Sequence, residues 1–366
     1  MKVLHVNAGL EKGGGLFHIV NLLTQAKESG EDFELLTLAD GPVAKAAQAA
    51  GIKTTVLGTK SRYDLGALKR LTKFINDNNF DIVHSHGARA NLFVDLIHKK
   101  IDAKWIVTVH SDPLRDFEGR GFLGDIFTKL NIKALKQADG VFAITQNFAD
   151  LLVDKIGLPK TKICVIYNGI FFHPDSQIPP KYDHPYFNVV NVGRTEKVKA
   201  QDMLLKALKQ TGDPNIHLHI VGDGSQLNNL KALARDLGIN QQVTFHGFLS
   251  HPEIVELYRK MDLAVLTSYS ESFPLVLLEA SDNLLPILST SVGDVRKMIP
   301  DDEHGFVIKI GDQNDLSDDL NKASQMSKQQ LKQMAKIEKE YLSHNFSIKN
   351  QLVAIKNYYE LVLDEK

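Results

Sequence analysis

The sequence predicts an α/β protein of two domains, each built on a doubly wound parallel sheet. The chain has 366 residues, and a single hydrophobic core stops growing at roughly 250–300 residues. Short β-rich runs alternate with amphipathic helical stretches twice along the chain, as in parallel sheets covered by helices. Hydrophobic residues make up 43% and the formal net charge is -1, an ordinary globular composition that gives no sign of a nucleic-acid partner.

The first alternation fills residues 1–170, the predicted N-terminal domain. Leu16, Ile19, Val20 and Leu23 repeat at helical spacing, so a helix is expected to begin near Leu16. The predicted strands are 2–7, 33–38, 53–57, 81–84, 104–109, 140–144 and 163–166.

Glycine and proline interrupt this rhythm between 168 and 186, so a linker is predicted at 171–186. The predicted C-terminal domain, 187–345, follows, with a helix at 225–237 and only helix after about 315. Its predicted strands are 187–192, 216–221, 242–246, 262–266 and 286–289.

The last segment, 346–366, is expected to be a helix that crosses back to the N-terminal domain. Leu352, Ile355, Tyr359 and Val362 lie on one helical face, and an apolar face of this kind packs against a core.

The cellular setting is expected to be cytoplasmic. Cys164 is the only cysteine, which fits a reducing compartment. The first residues resemble a strand without a signal-peptide pattern, and no apolar run approaches the roughly 18 residues typical of a membrane span.

A glycine run follows the first strand. Gly13, Gly14 and Gly15 precede a helix, so bare backbone amides there could face an anion or a sugar; the alternative is a plain turn. A dinucleotide fingerprint would need glycine at His18, or at Leu227 in the second half, and no Walker A sequence occurs. The sequence therefore disfavours NAD and ATP as cofactors.

Two glutamates, Glu271 and Glu279, enclose a nearly apolar segment in the second half. On a helix they would stand about 12 Å apart, beyond the roughly 5–9.5 Å of glycosidase carboxylate pairs. This spacing disfavours hydrolysis and suits two contacts with one long polar ligand. The alternative is a solvated helix face, but the apolar neighbours predict that Glu279 is partly enclosed.

Arg194 and Lys199 follow the first strand of the second half. A guanidinium and an ammonium group in that connection could hold a diphosphate. The alternative is a pair of unrelated surface cations.

These segments together resemble the retaining GT-B glycosyltransferases, a large nucleotide-sugar-dependent family that includes bacterial polysaccharide and glycolipid enzymes. The matching segments in the second half are VGRTEKVKAQDMLLKAL, LHIVGDGSQLNNLKALARDLGI, VTFHGFLSHPEIVELYRKMDLAVLTSYSESFPLVLLEAS and HGFVIKIGD. The first half adds GGG, DIVHSHG, VTVH and NGI. The resemblance implies two Rossmann-like domains facing across a cleft, with the N-terminal domain on the acceptor side and the nucleotide sugar bound by the C-terminal one.

The resemblance also implies roles for individual residues. Glu271 would hold the donor sugar's hydroxyls and Glu279 those of the ribose, while Arg194 and Lys199 would stabilise the departing diphosphate. His110 would reach the transferring sugar, although a lone histidine after a strand is often structural. The implied catalytic residues are His110, Arg194, Lys199 and Glu271. The implied donor-binding residues, partly through backbone amides, are Gly14, Gly15, Gly193, Gly222, Phe248, Leu249, Phe273, Pro274, Leu275 and Glu279.

No metal or other cofactor is expected. His84 and His86 form an H-x-H pair, but no third ligand is evident and packing or an acceptor-side role is favoured. No D-x-D sequence occurs, so no carboxylate-held metal is indicated. One departure from the family pattern is Ala200, which stands where a glycine is usual.

The predicted reaction is transfer of a hexose from a nucleoside diphosphate sugar, UDP-sugar favoured over GDP-mannose, to an acceptor hydroxyl; the resemblance implies that configuration is retained. Alternatives are a sugar-nucleotide epimerase on the same fold and a non-catalytic partner subunit. The acceptor is expected to be a saccharide or a lipid-linked molecule. Residues 115–136 combine basic and apolar side chains and raise the hypothesis of contact with the inner face of the membrane; the alternative is an ordinary helix packed on the sheet.

Overall fold

The computed structural model describes residues 1–11, 14–59 and 64–364. The chain forms two compact units. The first contains Met1–Phe171 and the chain from Ile348 onward, and the second is Phe172–Ser347. Each unit has its own parallel sheet and its own core.

The described part of the first unit holds seven strands, which are β1 (Lys2–Asn7), β2 (Asp32–Thr37), β3 (Thr54–Val56), β4 (Ile82–His86), β5 (Lys104–Val109), β6 (Gly140–Ala143) and β7 (Ile163–Val165). All their pairings are parallel, in the order β3-β2-β1-β4-β5-β6-β7. The helices between them are α1 (Gly14–Glu28), α2 (Pro42–Ala49), α3 (Leu65–Asp77), α4 (Ala88–Asp95), α5 (Gly121–Gln137) and α6 (Gln146–Asp154).

The second unit repeats this design with β8 (Phe187–Val192), β9 (Ile216–Val221), β10 (Val243–Gly247), β11 (Leu263–Leu266), β12 (Ile287–Thr290) and β13 (Phe306–Ile308). The order is β10-β9-β8-β11-β12-β13, again parallel. Its helices are α7 (Gln201–Thr211), α8 (Leu227–Asp236), α9 (His251–Tyr258), α10 (Leu275–Asp282), α11 (Val295–Met298), α12 (Gln313–Gln325) and α13 (Lys328–Phe346).

The last helix, α14 (Ile348–Asp364), packs on the sheet of the first unit. Its four predicted face residues, Leu352, Ile355, Tyr359 and Val362, are all buried. They share a core layer with α1 and α2. The opposite face of the same sheet packs against α3 to α6, because successive strand residues point to opposite sides.

The predicted α/β class with two doubly wound parallel sheets is confirmed. In each sheet the order reverses beside the first strand, between β1 and β4 and between β8 and β11. Open α/β sheets bind ligands at the carboxyl ends of the strands next to such a reversal. A ligand-binding site is therefore expected in the loops that follow these strands.

One strand of the second sheet was missed in the sequence. The short edge strand β13 was not predicted, since three residues carry too little periodicity to distinguish a strand from a loop. Helix α1 begins at Gly14, close to the expected start at Leu16, while Gly13 lies outside the described residues. In the predicted linker, 171–186, the Tyr182 amide donates to the Arg259 carbonyl at 2.9 Å.

Candidate active site

An ion pair lies in the loops after β8 and β11 of the second unit. Lys199 Nζ donates to Glu271 Oε1 at 2.6 Å, and both side chains are largely buried, with 19% and 14% exposed. Ser268 Oγ donates to the same oxygen at 2.5 Å. Glu271 therefore has one oxygen fixed by two donors, while its other oxygen accepts no hydrogen bond from the described residues.

The backbone of these two loops is held together as well. Thr267 Oγ1 donates to the Lys199 carbonyl at 2.9 Å, and the Tyr269 amide donates to the Val198 carbonyl at 2.8 Å. Ala200 follows Lys199 with φ 51, in the left-handed region. That conformation is disfavoured by roughly 1–2 kcal/mol for a residue with a β-carbon, so neighbouring contacts hold this turn in place.

Arg194 lies on the same β8–α7 loop and is exposed. The loop passes very close to the end of β9: a β-carbon on Gly222, where φ is +129, would lie 2.0 Å from the Gly193 carbonyl oxygen. Only glycine fits there. The Phe248 amide donates to Asp223 Oδ2 at 3.2 Å, and the Phe248 side chain is 77% exposed. The predicted residues Arg194, Gly193, Gly222, Phe248 and Leu249 thus follow the carboxyl ends of β8, β9 and β10.

Glu279 lies on α10 and is partly buried. Burial raises the pKa of its carboxyl to about 7. Within the described chain the carboxylate has no hydrogen-bond partner, and the neighbouring Tyr258 hydroxyl, which the sequence analysis missed, is buried without one. The partly exposed Glu279 carboxylate is able to accept hydrogen bonds from the hydroxyls of a ligand.

The assumed helical path between Glu271 and Glu279 is wrong. Helix α10 begins at Leu275, with Pro274 as its N-cap, so Glu271 precedes the helix and the spacing of about 12 Å does not apply. Pro274 also has no amide hydrogen to donate. The amide donors in this first turn belong to Leu275 and the residue after it.

A cluster of histidines occupies the first unit near the carboxyl ends of β1, β4 and β5. His5 Nδ1 lies 2.9 Å from His86 Nε2, and His86 Nδ1 lies 3.2 Å from His110 Nε2. Both nitrogens of His84 are also hydrogen-bonded, Nδ1 to the Tyr359 hydroxyl at 2.5 Å and Nε2 to Thr108 Oγ1 at 2.6 Å.

Strand register explains why these rings meet. His5 is paired in register with His84, and Thr108 with His86. His84 and His86 are two residues apart and so point to the same face of the sheet. The H-x-H pattern predicts that His84 and His86 share a face, but nothing in the sequence pattern identified His5 as a neighbour of these two rings.

The expectation that H-x-H lacks a third partner is therefore wrong. Two groups have ligand atoms within 4.8 Å of one another: His5 with His84 and His86, and His18 with His86 and His110. Neutral imidazoles at such distances are able to bind a transition metal. Both nitrogens of His84 and of His86 already have hydrogen-bond partners, so a metal would have to displace them.

The loop after β1 carries a further acidic residue that the sequence analysis missed. Asn7 Nδ2 donates to Glu11 Oε2 at 2.7 Å, and burial raises the pKa of the Glu11 carboxyl despite that bond. Gly15 lies beside this carboxylate, while a β-carbon on Gly14 would meet only open space. The only sequence signal for Glu11 is its place directly after the first strand.

Two family models match this chain. Residues 175–341 match "Glycosyl transferases group 1" and residues 12–171 match "Glycosyltransferase Family 4". Together the two matches leave little of the chain uncovered.

The chain belongs to the GT-B glycosyltransferases. It is 28% identical over 341 residues to a D-inositol 3-phosphate glycosyltransferase of Mycobacterium sp. (strain JLS), with 83% of this chain and 76% of the relative covered. It is 26% identical over 267 residues to an N-acetyl-alpha-D-glucosaminyl L-malate synthase of Bacillus anthracis, covering 70% and 68%.

Solved structures share the fold of this glycosyltransferase. Anabaena Alr3699/HepE in complex with UDP has a TM-score of 0.81 at 18% identity, covering 99% of this chain and 100% of the other. The lipopolysaccharide outer core galactosyltransferase WaaB has a TM-score of 0.75 at 21% identity, covering 98% of each chain.

Helix α5 of this glycosyltransferase has an apolar stripe facing solvent. Phe122 is 78% exposed and Leu123 60%, and Ile126 and Leu130 continue the stripe. A different face of α5, which includes Gly124, Asn131 and Leu135, is buried, so the helix both packs against the core and exposes an apolar surface. No described helix is long and apolar enough to cross a membrane.

Proposed function

We propose that this glycosyltransferase moves a hexose from a nucleoside diphosphate sugar to an acceptor hydroxyl with retention of configuration. The observation that carries the proposal is the Lys199–Glu271 pair, 2.6 Å apart on two loops at the carboxyl edge of the second sheet. It places a cation suited to a diphosphate beside a carboxylate suited to sugar hydroxyls.

In the proposed mechanism, charge stabilisation does most of the work. Negative charge grows on the diphosphate as the glycosidic bond breaks, and fixed cations lower the energy of that state. Arg194 and Lys199 are assigned to the diphosphate, Glu271 to the hexose and Glu279 to the ribose. His110 is assigned to the transferring sugar. We expect transfer without a metal ion.

The donor is proposed to be a UDP-sugar in preference to GDP-mannose. Support comes from Anabaena Alr3699/HepE, which has been solved in complex with UDP and with UDP-glucose. The acceptor is proposed to be a saccharide or a lipid-linked molecule of polysaccharide or glycolipid synthesis. The exposed stripe of α5 supports an acceptor that is presented at a lipid surface.

Steady-state kinetics of Arg194→Ala, Arg194→Lys and Lys199→Ala test the diphosphate assignment. Each alanine variant should lower kcat by about 10²–10³ and raise KM less, because charge on the diphosphate is greatest in the transition state. Lysine at 194 should rescue only partly, since it keeps the charge and loses the planar fork.

The matched control is Lys206→Ala, which removes an α7 lysine that pairs with Asp202 at 3.0 Å. It should leave kcat unchanged. Near-normal turnover in both alanine variants would overturn the assignment, as would loss of wild-type activity in EDTA that magnesium restores. Product formation without an acceptor would favour the epimerase alternative.

A further inference from the structure

The histidine cluster of the first unit contains a chain of three imidazoles, His5, His86 and His110, joined by two nitrogen–nitrogen contacts of 2.9 and 3.2 Å. Such a contact is attractive only when one of its two nitrogens carries a proton and the other is bare. The positions of the protons along the chain are therefore coupled.

Burial favours the neutral form of all three rings. Burial lowers the pKa of His5 to about 3 and that of His110 to about 4. Burial, with His84 and the other nearby histidines adding to it, holds the pKa of His86 well below its ordinary value. A neutral imidazole has one N–H and one bare nitrogen, so only two arrangements satisfy both contacts.

In the first arrangement His5 Nδ1–H donates to His86 Nε2, and His86 Nδ1–H donates to His110 Nε2. The bare nitrogen at the inner end is His5 Nε2, and the proton at the outer end is on His110 Nδ1. In the second arrangement every bond is reversed, which puts an N–H on His5 Nε2 and leaves His110 Nδ1 bare.

The surroundings of His5 distinguish the two proton arrangements. His5 is fully buried, its ring packs 5.4 Å from that of Phe33, and its Nε2 has no partner among the described residues. A buried N–H without an acceptor is rarer than an acceptor without a donor. The first arrangement avoids it.

We propose that the His5–His86–His110 chain fixes His110 as the Nδ1–H tautomer, so that His110 acts as a hydrogen-bond donor to an oxygen of the bound substrate. His5 and His86 are positioning residues that act through His110. His110 is partly exposed at the end of β5, and its Nδ1 has no hydrogen bond within the described chain. The substrate contact rests on the proposed function, whereas the tautomer does not.

Nitrogen-15 NMR of the histidine-labelled enzyme near pH 7.5 tests the tautomer directly. His110, assigned by comparison with His110→Gln, should show a protonated Nδ1 and a bare Nε2. His98 is an internal reference, because its Nδ1 faces the Asp95 carbonyl at 2.7 Å and must donate. A protonated Nε2 on His110 would overturn the proposal, and so would histidine signals that EDTA changes, since these would show a bound metal.

Two substitutions at His86 separate positioning from packing. His86→Asn places an amide nitrogen where Nδ1 stood and should preserve the His110 tautomer. His86→Leu removes the donor and should give mixed tautomers and roughly tenfold lower kcat/KM, as expected for one lost hydrogen bond. His98→Asn, outside the chain, should leave both measurements unchanged.

The outcomes distinguish this proposal from the proposed function. If His110 shows the expected tautomer but the enzyme transfers no sugar, the proposed proton arrangement is supported and the proposed function is contradicted. Equal kcat/KM for His86→Asn and His86→Leu, in variants that remain folded, would reject the positioning role. If His86→Leu fails to fold, the wild-type spectrum still decides the tautomer.

Discussion

At the scale of single residues, Glu279 is a proposed binding group whose burial lowers the stability of the ligand-free protein when its carboxyl is ionised. Its carboxylate has no partner among the described residues, and burial raises its pKa to about 7 from the ordinary value of 4.5. Between these two pH values the folded protein binds more protons than the unfolded chain. The contribution of Glu279 to stability is therefore lost as pH rises through about 7.

Glu279→Gln should stabilise the free enzyme at pH 8 and have little effect at pH 4.5, because the amide cannot ionise. The gain should appear in thermal unfolding as roughly 2–4 °C for each kcal/mol. Glu340→Gln, an exposed change on α13, is the control. Equal stabilisation at both pH values would show that ionisation of Glu279 is not the cause.

The raised pKa of Glu279 also predicts that ligand binding depends on pH. If ribose hydroxyls donate to the ionised carboxylate, UDP should bind more tightly above pH 7 and release a proton near that pH. Calorimetry in buffers of different ionisation enthalpy measures the number of protons released on binding.

Substitutions of the two glutamates test their separate assignments. Glu279→Gln should weaken the binding of UDP and of UDP-glucose alike, whereas Glu271→Gln should weaken the binding of UDP-glucose more than that of UDP. The reverse order would contradict both assignments.

At the scale of elements, helix α5 combines an exposed apolar stripe with nearby basic residues. Binding to anionic vesicles is expected at low salt and should decrease at higher salt, because electrostatic attraction is screened. Sedimentation with phosphatidylglycerol-containing and pure phosphatidylcholine vesicles measures it. Equal binding to both at every salt concentration would contradict the hypothesis.

A paired substitution locates the contact. Phe122→Ser with Leu123→Ser should abolish vesicle binding, since it removes the two most exposed side chains of the stripe. Leu361→Ser is the matched control, because Leu361 is 63% exposed on α14, away from the stripe along the chain. Retained binding by the α5 variant would assign the membrane contact elsewhere.

At the scale of the whole molecule, nucleotide binding should raise the stability of the folded chain by mass action. A ligand at 100 times its Kd adds about 2.7 kcal/mol. Thermal unfolding with UDP, GDP and ADP is expected to show the largest shift with UDP, in the presence or absence of EDTA. A larger shift with GDP would contradict the proposed donor preference.

The sequence by itself determined the α/β class and the family. Hydrophobic periodicity is a local property of the sequence, so the alternation of strands and helices along the chain was enough to predict two doubly wound sheets. It also placed the candidate polar residues directly after particular strands. The order of segments around Arg194, Lys199, Glu271 and Glu279 was enough for the resemblance, and the matches to known proteins confirm the family. The roles of those residues and the domain boundaries remain predictions.

Only the tertiary structure decided which side chains meet. Lys199 and Glu271 are 72 residues apart, and His84 and Tyr359 are 275 apart; no local pattern contains such contacts. The start of α10 after Glu271, and the place of His5 beside His86, depend on register and loop path. These are set by hydrogen bonds between strands and by long-range packing of helices on the sheets, which fix positions that periodicity along the chain leaves free.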